Sequence, residues 1–62
     1  SDLWLVRAIV GFTRQQDAHY ANVSVENFLI TYRQAAPDDQ TQLRKIWGEA
    51  GLGVFPEDGN PP

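Results

Sequence analysis

Apolar positions along this chain fall into three runs separated by polar breaks. In the first, Leu5, Ile9, Phe12 and then His19 or Tyr20 recur on one helical face. That spacing predicts a helix from about 3 to 20, with Asp2 placed to cap its start. Val6, Ile9 and Val10 are β-branched and would also suit a strand. Strict alternation is missing, however, and the chain offers no convincing further strands to pair with it. The second run is Val25, Phe28, Leu29, Tyr32 and Ala36, which predicts a helix over 24–36. Ser24 suits the N-cap, and Val23 and Phe28 have the spacing of a hydrophobic staple. Pro37 ends this helix, because a residue before proline avoids the helical conformation.

In the third run Leu43, Ile46, Trp47 and Ala50 follow the helical template over 38–50. Pro37, Asp38 and Asp39 suit a helix start, with a fixed φ and negative charge against the helix dipole. Gly51 fits the position just past the end. Leu52, Val54 and Phe55 are expected to fold back over the helices. Residues 56–62 read as a flexible tail or linker. The expected fold class is therefore all-α. It is a compact bundle of three helices with an extended, partly packed C-terminal tail, in a single domain over 1–55.

The distribution of apolar residues around each helix is more informative than their number. At 100° per residue, the third helix carries an ordinary amphipathic stripe about 100° wide. In the first helix Leu3, Trp4, Leu5, Val6, Ala8, Ile9, Val10 and Phe12 cover about 260° of the circumference. Only Arg7, Gly11 and Arg14 share the other side. Such a helix has to be buried on more than one side. Two short helices and three apolar tail residues are too little to do that. A second chain, or the rest of a longer one, is expected to contact it at Leu3, Trp4, Val6 and Val10. Arg7 and Arg14, seven apart on one face, would form the polar rim of that seam. Trp4 is the natural anchor, since tryptophan is favoured at binding hot spots. Ile30 lies in the polar arc of the second helix and extends the same expectation.

Composition sharpens this picture. The chain has 62 residues, no cysteine, no methionine and a net charge of -3. A chain this short buries only about 60% of its unfolded surface, so its stability is marginal. Without cysteine there is no disulfide and no thiolate metal site. His19 is the only histidine, which removes nearly all histidine-rich zinc sites. No metal and no cofactor are expected. Of the usual staples for a small domain, tight helix packing and association with a partner are left. No apolar run approaches the roughly 20 residues of a membrane span. Leu3 to Val10 lacks the flanks of a signal peptide, so a cytoplasmic setting is expected. The opening Ser1, in place of methionine, suggests a processed or tagged chain, or a domain of a longer one.

The chemistry-bearing residues do not assemble into a catalytic set. His19 would have to serve as the only imidazole base for every hydroxyl nucleophile. Asp17, two residues away, does not face it on a helix. Asp38–Asp39 and Glu57–Asp58 are adjacent pairs that read as helix-start charge and as solubilising tail. Asn22-Val23-Ser24 matches a glycosylation acceptor, but a helix cap explains Ser24 better. No enzymatic activity is expected. The third helix would expose Gln40, Thr41, Gln42, Arg44 and Lys45, and glutamine and arginine are side chains that read base edges. A short turn precedes it, as in a helix-turn-helix. Five basic residues stand against eight acidic ones, and Asp38 and Asp39 sit where phosphates would come. The leading expectation is a non-catalytic interaction or regulatory module, self-associating as a homodimer through its first helix. A dimeric helix-turn-helix regulator contacting DNA through Gln40, Gln42, Arg44 and Lys45 is the alternative. A structural subunit or excised domain of a larger complex is a third.

Overall fold

Three helices and one further helical turn make up the computed structural model, which describes residues 3–59. They are α1 (Leu3–Arg14), α2 (Ala18–Gln34), α3 (Pro37–Glu49) and the turn α4 (Pro56–Gly59). Among the described residues there is no strand, so the fold is all-α and residues 3–12 are helical. Asp2, expected to cap α1, lies outside the described residues.

The first break comes six residues earlier than the periodicity predicts. α1 ends at Arg14 rather than near Tyr20, and α2 begins at Ala18 rather than after Ser24. The cause is a local turn at Gln15–Asp17. Gln16 takes a left-handed backbone with φ 58°. Its N–H donates to the Thr13 carbonyl at 3.0 Å and the Asp17 N–H donates to the Phe12 carbonyl at 2.9 Å. These two bonds are the Schellman pattern, which satisfies carbonyls left open at a helix end. Asp17 then caps the next helix: its Oδ1 accepts from the Tyr20 N–H at 3.2 Å. Ser24 is therefore an interior residue of α2, buried one turn before Phe28. Val23, expected to staple onto Phe28, is exposed instead.

The other boundaries fall within two residues of expectation: α2 ends at Gln34 rather than Ala36, which is extended and exposed, and α3 runs from Pro37 to Glu49 rather than over 38–50. Ala35 and Ala36 are extended, with ψ 151° and 156°, and Pro37 opens α3 at its first turn. The Tyr32 carbonyl near the end of α2 accepts from the Ala35 N–H at 3.1 Å and from Gln40 Nε2 at 2.9 Å. At the end of α3, Gly51 has φ 73°, a conformation glycine adopts without steric cost. Its N–H donates to the Gly48 carbonyl at 3.0 Å, and the Leu52 N–H reaches the Trp47 carbonyl at 3.5 Å.

Leu5, Val6 and Ile9 of α1 meet Phe28, Leu29 and Tyr32 of α2, Leu43 and Trp47 of α3, and Phe55 in one core. Its aromatic end is a cluster: Phe55 lies 4.7 Å from Tyr32, 5.6 Å from Trp47 and 6.0 Å from Phe28, between ring centroids. Phe28 and Trp47 are 5.3 Å apart. These separations suit tilted and edge-to-face ring pairs, each worth about 0.5–1.5 kcal/mol beyond area burial. Trp47 Nε1 donates to the Gly53 carbonyl at 3.2 Å, so its polar edge is satisfied.

Residues 56–59 are not a free tail. Glu57 Oε1 pairs with Arg33 of α2 at 2.7 Å. Asp58 receives two bonds from Arg44 of α3, at 2.6 and 3.0 Å. The segment expected to be flexible is thus clamped onto two helices over its first four residues, because its acidic pair finds two arginines. Residues 60–62 lie outside the described residues. The molecule measures 32 × 31 × 19 Å, about two helix diameters thick. In so thin a body a helix can meet neighbours over only part of its circumference.

Candidate interaction groove

Only three residues of α1 are buried: Leu5, Val6 and Ile9. They span about 100° of the 260° that its apolar residues cover. The two edges of the wider arc emerge at the surface. Leu3 is exposed, and Trp4 is 64% accessible. Ala8, Val10 and Phe12 are half-buried. Phe12 is partly covered by Tyr20, whose ring stacks on it at 5.5 Å. The C-terminal segment does not cover the surplus, because its one fully packed ring, Phe55, faces Phe28, Tyr32 and Trp47.

Between α1 and α3 runs an open groove of about 450 Å³. Leu3, Val6, Val10 and Gly11 form its α1 side, and Ile46 and Ala50 its α3 side. Arg7 and Arg14 line the α1 flank, and Glu49 lines the α3 flank. Leu3 to Arg14 spans about 16 Å at 1.5 Å per residue. Helical spacing explains the arrangement: positions 3, 6, 7, 10, 11 and 14 lie along one side of a helix. A second depression adjoins it at Ile46 and is lined by Thr31, Gln34, Ala35, Asp39, Gln42 and Leu43.

The six residues expected to bind a partner separate into three groups. Leu3, Arg7 and Val10 meet in the groove. Val6 lines its floor but is only 2% accessible, so it supports the surface from beneath rather than anchoring a partner. That corrects the expectation for Val6, whose side chain closes the core of its own chain. Trp4 is exposed on α1 outside the groove, on nearly the same meridian as Gly11 two turns on. Ile30 is 50% accessible on α2, where it shares the outer side with Val23, seven residues earlier. It does not join the groove. Gly11 and the α3 wall escaped the sequence reading. Gly11 was legible as a glycine inside a helix, but Ile46 and Ala50 are indistinguishable by periodicity from core residues.

The four residues of the alternative nucleic-acid reading are divided too. Arg44 is held on three sides: by Asp58, by the Tyr32 hydroxyl, which accepts from its Nε at 2.7 Å, and by the Phe55 ring, 4.4 Å from its Cζ. These bonds raise its affinity for its proton, Asp58 most of all, and hold the Asp58 carboxyl below its ordinary range. Gln40 donates to the Tyr32 carbonyl. Gln42 and Lys45 are exposed and take part in no ion pair among the described residues. Asp38 and Asp39 stand exposed in the first turn of α3.

Among the described residues no three histidine or acidic side chains gather into a metal-binding group, and no helix is long and apolar enough to cross a membrane. Comparison of the chain with protein-family models, with curated proteins and with solved structures finds no match in any of the three.

Proposed function

We propose that this chain is a non-catalytic protein–protein interaction module that works through the apolar surface α1 shares with α3. One observation carries the reading: α1 has far more apolar circumference than its own chain buries, and the surplus borders a groove with a charged rim. A helix that is apolar nearly all round is at home only when covered on several sides. Exposed apolar surface rimmed by polar groups is the usual form of a binding site. A second copy of the chain and a different protein are both served by this surface. The nucleic-acid alternative is weaker, since Arg44 and Gln40 are already bonded within the chain.

A photo-crosslinking amino acid placed at Trp4 or at Val10, with Lys45 as control, tests the reading in an extract of the source. Adducts from the two α1 positions that Leu3→Asp abolishes support it. Equal yield at Lys45, or no adduct at either α1 position, would sink it.

A further inference from the structure

We infer that the occupant of the α1–α3 groove is an acidic amphipathic helix from a different protein, about three turns long. This inference rests on the interaction reading above and adds the chemistry of the partner. The first argument is charge. Four arginines lie in the described chain. Arg33 and Arg44 are paired with Glu57 and Asp58. Arg7 and Arg14 take part in no ion pair among the described residues, and both border the groove. The groove carries these two positive charges against one negative, Glu49, in a chain whose net charge is -3. Among the described residues Lys45 is the one other exposed basic side chain outside an ion pair, and it stands alone, so an acidic partner meets paired complementary charge at this groove. A second copy docked on the same groove would bring four arginines and two glutamates to one seam, and like charges across an interface oppose association.

Shape is the second argument. Leu3 and Val10 above a floor of Val6, with Ile46 and Ala50 opposite, make an apolar trough between two helices. Amphipathic helices dock in such troughs through anchors one turn apart. The α1 wall, about 16 Å long, presents three turns at 5.4 Å per turn, and the α3 wall from Ile46 to Ala50 adds about one.

Gly11 is the third. It sits inside α1, where glycine is unfavourable. A Cβ built on it meets nothing within 4 Å, so packing within the chain does not require its smallness. At the groove edge a glycine lets a partner backbone come close, as small residues do between packed helices.

Two synthetic helical peptides of 14 residues test this. Both carry leucines on one face. One carries glutamates beside them, and the other carries lysines at the same positions. Amide chemical shifts in the labelled protein read where each binds. We expect the acidic peptide to perturb residues 3–14 and 46–50 and to bind about tenfold more tightly than its basic twin, as two exposed ion pairs allow. That preference should fade in 1 M salt, where the screening length is about 3 Å. Arg7→Glu with Arg14→Glu should reverse it, since both side chains are exposed. Gly11→Leu should weaken the acidic peptide while leaving the amide spectrum of the free protein folded.

Equal affinity of the two peptides at the groove would overturn the acidic partner and leave the interaction reading standing. Sedimentation equilibrium showing a dimer through the groove, unaffected by the two charge reversals, would do the same. Neither peptide shifting residues 3–14 or 46–50, with no self-association there, would overturn both.

Discussion

Gln16 is the residue on which the topology of the first two helices turns. With φ 58° it holds the left-handed conformation that side chains other than glycine, asparagine and aspartate rarely adopt. Gln16→Gly removes that cost, about 1–2 kcal/mol, and gives back part of it as chain entropy in the unfolded state. We expect a net gain of about 0.5–1 kcal/mol, read as a higher urea midpoint with an unchanged slope. Its neighbour Asp17 supplies the cap on Tyr20, and Asp17→Ala should cost about 1 kcal/mol in the same measurement. Gly11 behaves differently from both. Because nothing lies within 4 Å of a Cβ there, Gly11→Ala should stabilise the free chain by up to about 1 kcal/mol.

At the scale of elements, the turn α4 matters beyond its four residues. Glu57 and Asp58 hold Arg33 and Arg44, and the Arg44 guanidinium lies over Phe55. The clamp thereby keeps Phe55 seated against Tyr32 and Trp47. Asp58 has its carboxyl held below the ordinary value of 3.8 by the hydrogen bonds from Arg44. A carboxylate depressed in the folded state stabilises it at pH above the ordinary value and loses that effect as acid lowers the pH through the folded one. The clamp should therefore be intact at neutral pH and release below pH 3.8. The indole N–H resonance of Trp47, bonded to Gly53, should report the change, and Asp58→Asn should remove its pH dependence. Arg44→Lys should loosen the clamp even though charge is kept, because an ammonium cannot form the two-pronged bond.

For the whole molecule, one aromatic residue closes the structure. A chain of this size holds roughly 3–9 kcal/mol of stability at 0.05–0.15 kcal/mol per residue. Phe55 is buried among three other rings, and truncating a buried phenylalanine costs about 3–5 kcal/mol. Phe55→Ala should accordingly remove most of the cooperative thermal transition seen by calorimetry. Trp4→Ala should leave that transition nearly unchanged, since Trp4 is mostly exposed. The contrast separates the aromatic residue that folds the chain from the one that is available to a partner. A body 19 Å thick leaves part of any inner helix uncovered, so the surplus on α1 follows from the size of the chain as much as from its sequence.

The sequence by itself determined the helical class, the third helix, its end at Gly51 and the excess of apolar surface on α1. Each of these depends on local spacing or on backbone preference, which a single helix already expresses. The break at Gln15–Asp17 was harder to see. Glutamine is not the residue that favours a left-handed backbone, and Ser24 resembles a cap as well as a buried interior position. Only the tertiary structure decided that Val6 faces its own core, that Ile46 and Ala50 form the second wall of the groove, and that Glu57 and Asp58 fold back onto Arg33 and Arg44. Those outcomes depend on which helix faces lie against each other. Periodicity identifies a face, whereas packing between distant segments decides what covers it.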